Sequence, residues 1–263
     1  MKWIQPAQFA LYAALLVGCI SCTTPPQPLQ SSLTLREAME SEGAAEVIDP
    51  TRSKRCVVII RDRHPTYRGY RKIRKQLVTV QRANRRLLDY LVRSDFTLLG
   101  CEFPSGPLEE NNKTRQSYQL VRSKSRYGPR YLDRFAVYQP VRYQLFWPSQ
   151  LIVLGVEDPE LYEADRQILK DYQRIRQELV RGGLRTDEKE ELSVATLRAS
   201  RLLQVNSDSR GKAAAVNLLR EMDTNNCTNA VLLMGGTHVP AARQHLQEAG
   251  LQVHVFRPRG YDN

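Results

Sequence analysis

The residues best suited to chemistry stand just after short apolar runs. Asp62 and His64 follow Val57-Val58-Ile59-Ile60, and Glu102 follows Phe96-Thr97-Leu98-Leu99. Glu157 follows Leu151-Ile152-Val153-Leu154, and Gly235-Gly236-Thr237-His238 follows Ala230-Val231-Leu232-Leu233-Met234. If the runs are parallel strands, their carboxyl ends share one edge of a sheet, where open α/β folds place ligands. Neutral imidazoles and carboxylates can hold a divalent ion that acidifies a bound water, or a His held by a carboxylate can act as general base on water directly. Either route leads to hydrolysis. The expected catalytic group is Asp62, His64, Glu102 and His238; the expected ligands of a divalent transition metal are His64, Glu102, Glu157 and His238. Gly235 and Gly236 would let backbone approach a ligand closely, and the helix expected after His238 would offer N–H donors to an anionic group.

Each residue also has a plainer use. A lone His is commonly a hydrogen-bonded structural residue, Asp158 before Pro159 fits a helix cap, and a Gly-Gly pair can be a simple turn. The joint placement at four strand ends favours a site. His245 and His254 fall on a helix and inside a strand and are given no role.

The elements that must position these residues can be read from periodicity. The apolar runs above, with Val253-His254-Val255-Phe256, are continuous rather than alternating, as in parallel strands covered on both faces. Between them, Tyr70, Ile73, Leu77, Val80, Leu87 and Leu91 recur at helical spacing over 67–92, with a basic face formed by Arg71, Lys72, Lys75, Arg82, Arg85 and Arg86. Leu161 to Leu179 repeats the pattern. Two further helices are expected over 188–203 and 211–222, and a short one over 239–249. Strands alternating with helices predict an α/β domain with a mainly parallel sheet and helices on both faces. Residues 104–148, rich in Tyr and Arg and broken by Pro129 and Pro140, read as an insertion or lid.

The first residues predict a destination. Lys2, the apolar run Phe9 to Val17 and the sequence Leu16-Val17-Gly18-Cys19 have the order of a secretory signal with a lipobox, and the run is too short to span a bilayer. The expected organisation is a signal peptide over 1–18, a lipidated Cys19 with a flexible Pro-rich tether over 19–50, and a single α/β domain over 51–263. Removing Lys2 with the signal lowers the net charge from +11 to +10, so the chain stays strongly basic and suits an acidic partner such as lipid headgroups or cell-wall polymer. An extracytoplasmic protein, held on a membrane by its lipid and facing the periplasm from the outer membrane, is expected. Ile20 rather than Asp follows the lipidated residue, which favours that membrane. Cys56, Cys101 and Cys227 are expected as buried small hydrophobes with at most one bridge. No nucleic-acid partner is expected, and the oligomeric state is left open. The motifs G-x-x-x-x-G-K-[ST], G-x-S-x-G and H-E-x-x-H are absent.

Taken together, Asp62 with His64, Glu102 in Leu99-Gly100-Cys101-Glu102, Glu157 in Gly155-Val156-Glu157-Asp158 and His238 in Gly235-Gly236-Thr237-His238 resemble the motifs of one superfamily. It joins erythromycin-esterase-like proteins, ChaN-like haem-binding lipoproteins and the TraB and Tiki proteins, and the likeness covers roughly 57–258. Its first motif usually opens with Gly and Glu, where this chain has Arg61 and Asp62, and Tyr70 stands where a Gln is common. The resemblance implies three alternatives: a hydrolase acting on an ester, peptide or cell-wall substrate through His and Glu or a metal; a haem-binding lipoprotein; or a non-catalytic scaffold at the membrane surface. Haem would draw on the Tyr- and Arg-rich insertion and on His, since both side chains ligate iron and arginines suit propionates.

Overall fold

Continuous apolar strands need cover on two sides, and the chain supplies it with helices above and below one sheet. The computed structural model describes residues 34–51, 53–62, 70–108, 143, 146–181 and 183–261, with the backbone alone for 70–75. Two units separate, Met1–Thr34 and Leu35–Asn263, and the fold is that of the second. His64, Cys19 and most of the insertion expected over 104–148 lie outside the described residues. Among the described residues, no helix is long and apolar enough to cross a membrane.

In chain order the elements are α1 (Leu35–Glu42), β1 (Gly43–Val47), β2 (Cys56–Asp62), α2 (Tyr70–Arg93), β3 (Leu98–Pro104) and β4 (Gly106–Pro107). There follow β5 (Ile152–Glu157), α3 (Pro159–Val180), α4 (Thr186–Thr224), β6 (Asn229–Gly235), α5 (Val239–Glu248) and β7 (Gln252–Pro258). The sheet order is β1-β7-β2-β6-β3-β5-β4. The five central strands are parallel, and β1 and β4 pair antiparallel at the two edges.

Successive residues of each strand serve opposite faces. Val58, Ile60, Leu99, Cys101, Val231 and Leu233 meet α1 and α2 through Met39, Leu87, Leu88 and Leu91. Val57, Ile59, Leu98, Val156, Leu232 and Val255 meet α4 and α5 through Ala214, Leu218, Met222, Ala242 and Leu246. Strand β6 is inserted between β2 and β3, so its carboxyl end stands between theirs. That crossover sets Asp62, the Gly235 turn, Glu102 and Glu157 at neighbouring strand ends.

The domain reaches further upstream than the expected boundary at 51. Residues 35–47, assigned by sequence to the tether, form α1 and the edge strand β1, which pairs with β7. They bury little, with only Ala38 and Met39 in the core, so no long apolar run marks them. The helices expected over 188–203 and 211–222 are one 39-residue helix, α4. The polar run Asn206-Ser207-Asp208-Ser209 falls in the gap between the two expected helices, and the helix passes through it. The expected cap is present: Asp158 accepts from the backbone of Glu160 at 2.9 Å and Leu161 at 3.1 Å, with Pro159 opening α3.

Candidate active site

The turn after β6 closes when the His238 N–H donates to the Gly235 carbonyl at 3.1 Å. It delivers the His238 imidazole into a buried space between β3 and α4, where the residue is 8 % exposed. Its Nε2 lies 3.3 Å from Glu102 Oε1, and Nδ1 lies 2.9 Å from Ser207 Oγ and 3.0 Å from the Ser207 carbonyl oxygen. A carbonyl only accepts, so this contact assigns the Nδ1 proton. Nε2 is thus the ring atom that faces the Glu102 carboxylate, with the imidazole fixed in orientation from behind.

Glycine 211 makes this approach possible. A side chain there would set its Cβ 2.3 Å from the His238 carbonyl oxygen and 3.2 Å from Ala241 Cβ, so α4 can lie against the turn only without one. Next to it in α4, Arg210 donates from Nε to Glu157 Oε1 at 2.8 Å, bonds the same oxygen through Nη2, and donates from Nη1 to Asp165 Oδ2 at 2.7 Å. Burial opposes the guanidinium charge, but Glu157 first, then Glu102 and Asp165, outweigh it and raise the arginine above its ordinary value. Tyr162 supports the guanidinium with its ring 5.5 Å away, and Asn206 bridges Leu161 and Asp165.

On the α2 side, Asp62 Oδ1 accepts from Gln81 Nε2 at 2.9 Å and from Asn84 Nδ2 at 3.5 Å, and Tyr143 donates its hydroxyl to Gln81 Oε1 at 2.8 Å. All four residues are buried. Among the described residues, Asn84 Oδ1 has no hydrogen-bond partner. Asp62 pairs in register with Gly235, and a Cβ built on Gly235 would lie 3.4 and 3.5 Å from the two Glu102 oxygens and 3.5 Å from His238 Cδ2. The Asp62 and Glu102–His238 clusters thus adjoin across Gly235. Cys101 lies beneath both: burial first, then the charges of Asp62 and Glu102, push its thiol well above the ordinary range.

Of the expected site residues, Asp62, Glu102, Glu157, Gly235 and His238 come to this one edge. His64 lies outside the described residues. Glu157 is committed to Arg210, and among the described residues no group of three or more His, Cys, Asp or Glu side chains could hold a metal ion. The described donors therefore do not make up a metal site by themselves. Gly236 also lies beside the C-terminal Tyr261. Its missing Cβ makes room for the Tyr261 hydroxyl, which would be 2.4 Å from that atom. From the expected insertion, Tyr143 is a core residue stacked on Trp147 at 6.5 Å, and the other tyrosines fall outside the described residues.

Sequence reasoning missed Ser207, Arg210, Gly211, Asp165, Gln81 and Asn84. Two signals pointed to three of them. Gly211 interrupts an otherwise sound helical stretch, and Gln81 and Asn84 are polar residues on the face of α2 that buries Leu77, Val80, Leu87 and Leu88. His254 is structural as expected. It is buried in β7, and its Nδ1 accepts the Asp49 N–H at 3.3 Å. Cys56, Cys101 and Cys227 are free thiols. No family model, curated protein or solved structure matches the chain.

Proposed function

We propose that this domain is a hydrolase in which Glu102 and His238 act together as the acid–base group on water. The observation that carries it is the buried Glu102–His238 contact of 3.3 Å, with Nδ1 held by Ser207, at the carboxyl edge of a parallel sheet. A carboxylate–imidazole pair takes a proton from water as it attacks and returns one to the leaving group. Burial of both side chains, 10 % and 8 % exposed, strengthens the interaction by removing competing water. Arg210 supplies a fixed positive charge on the same side, and Asn84 Oδ1 offers an acceptor to a substrate donor. The motif resemblance to the esterase-like branch of the superfamily supports the same reading. The substrate class we assign is an ester, peptide or cell-wall fragment, met outside the cytoplasm by a protein anchored in a membrane through a lipid on Cys19.

The test is turnover by the purified full chain on panels of esters, short peptides and cell-wall fragments, with His238→Gln beside the parent. Hydrolysis lost in the variant, with folding unchanged, supports the proposal. A parent inert on all three panels, or a variant as active as the parent, refutes it. Lipid labelling of the parent and of Cys19→Ala tests the anchor separately.

A further inference from the structure

Strand β2 ends with its last two side chains on opposite faces of the sheet. Asp62 continues the row of Val58 and Ile60 toward α2, whereas Arg61 continues the row of Val57 and Ile59 that faces α4 and α5. Arg61 also stands in register with Met234, which belongs to that second core layer. Glu102 follows Leu98 and Gly100 on the α4 face of β3, where a Cβ on Gly100 would meet Leu218 at 2.8 Å. Arg61 therefore shares both the face and the carboxyl edge of the sheet with the Glu102–His238 pair.

One carboxylate serves this arginine and its neighbour on β7. Glu46 Oε2 lies 2.6 Å from Arg61 Nε, and Glu46 Oε1 lies 3.1 Å from Arg257 Nε. With Nε set against Glu46, the Arg61 terminal nitrogens Nη1 and Nη2 make no hydrogen bond among the described residues, although the side chain is only 29 % exposed. Nη1 would lie 3.6 Å from a Cβ built on Gly236, and the same construction on Gly235 reaches Glu102 and His238 at 3.4–3.5 Å. Consecutive Cα atoms are about 3.8 Å apart, so one small molecule lying along the two glycines can meet the acid–base pair at one end and the guanidinium at the other.

We propose that Arg61 selects the substrate of this site by binding, through Nη1 and Nη2, a carboxylate carried by the molecule that Glu102 and His238 hydrolyse. Two parallel N–H groups on a planar fork match the two oxygens of a carboxylate. Glu46 offsets part of the guanidinium charge, which suits a monoanion over a dianionic phosphate. The proposal rests on the hydrolase reading above and narrows it to acidic esters or to peptides with a free carboxylate near the scissile bond.

The test compares kcat/KM of the purified full chain on p-nitrophenyl hemiadipate and on neutral p-nitrophenyl hexanoate, for the parent, Arg61→Gln and Arg61→Lys. A charge-assisted pair predicts a preference of about tenfold or more for the hemiadipate in the parent, a ratio near one in Arg61→Gln and a partial preference in Arg61→Lys, which keeps the charge without the fork. A parent ratio near one overturns the proposal whether or not the variants fold, and so does a ratio that Arg61→Gln leaves unchanged. Thermal unfolding at constant ionic strength reads the same subsite without turnover. N-acetylglycine at about 50 mM should raise the parent melting point by about 2 °C or more, neutral N-acetylglycinamide should not, and Arg61→Gln should lose the response. If neither ester is turned over, the hydrolase reading fails and unfolding alone decides: no rise with N-acetylglycine, or a larger one with inorganic phosphate, overturns the carboxylate subsite.

Discussion

Gly211→Ala is the substitution whose sign the site geometry decides. In an open helix, replacing Gly by Ala stabilises by about 1 kcal/mol. At this position the new Cβ would begin 2.3 Å from the His238 carbonyl oxygen and 3.2 Å from the Ala242 nitrogen, both backbone atoms that no rotamer change can move aside. Ordinary contact requires α4 and the β6–α5 turn to separate by about 1 Å. Forcing a packed contact apart costs about 1–3 kcal/mol, so the net effect is a loss of about 1 kcal/mol and a melting point lower by roughly 2–4 °C. The same separation stretches the Ser207–His238 contact of 2.9 Å, and a displacement near 1 Å at a reacting group can lower turnover by about 100-fold. Thermal and urea unfolding measure the first effect and hydrolysis the second. A variant stabilised by about 1 kcal/mol, with turnover intact, would refute the placement of His238 against α4.

Three further outcomes follow from the site and its surroundings. Gly235→Ala should leave the melting point nearly unchanged, because its Cβ meets Glu102 and His238 at 3.4–3.5 Å, but should lower turnover by filling the space over the pair. An alanine variant with parental turnover would show that the reacting atoms do not pass there. Arg210→Ala strands Glu157, whose side chain is 6 % exposed, and should cost about 3–5 kcal/mol in urea unfolding, a loss under about 1 kcal/mol contradicting the buried pairing. The pH dependence of unfolding should show two acid limbs. Burial pushes the His254 imidazole below its ordinary value, partly offset by Asp49, so the native state binds fewer protons than the unfolded chain and stability falls as pH drops below about 6.5. Burial raises the Asp49 carboxyl, but donors from Thr51, Gln247 and Val253 outweigh it and hold it well below the ordinary range, so its share is lost only as pH falls below about 3.9. His254→Gln should flatten the first limb and Asp49→Ala the second.

The parts of this account that sequence could supply are those with a one-dimensional signature. Val57 to Ile60 and Ala230 to Met234 announce doubly covered strands because both faces demand apolar residues. The residue after such a run, Glu102 for example, inherits its place at the sheet edge from that reading. Strand order was not legible, since nothing local to β6 says that it enters between β2 and β3, yet this crossover is what brings His238 beside Glu102. Helix α4 was misread for a related reason. The polar run from Asn206 to Ser209 lacks the apolar periodicity that marks a helix, whereas the contacts that Ser207, Arg210 and Gly211 make with His238, Glu157 and the β6–α5 turn go with a helix that is continuous there. Residues 35–47 went unseen as structure because β1 is short, has only Val47 as a large apolar residue, and pairs with β7 through its backbone.

The central claim is that Glu102 and His238 work as one acid–base unit, and a double-mutant cycle on turnover tests it most directly. Once a substrate is found, kcat/KM is measured for the parent, Glu102→Gln, His238→Gln and the double variant. Groups that share one proton lose the whole effect with either member, so the account predicts that each single variant falls by about 100-fold or more and that the double variant is no worse than the lower of the two. Losses that multiply in the double variant, or a Glu102→Gln protein that retains parental turnover, would contradict it.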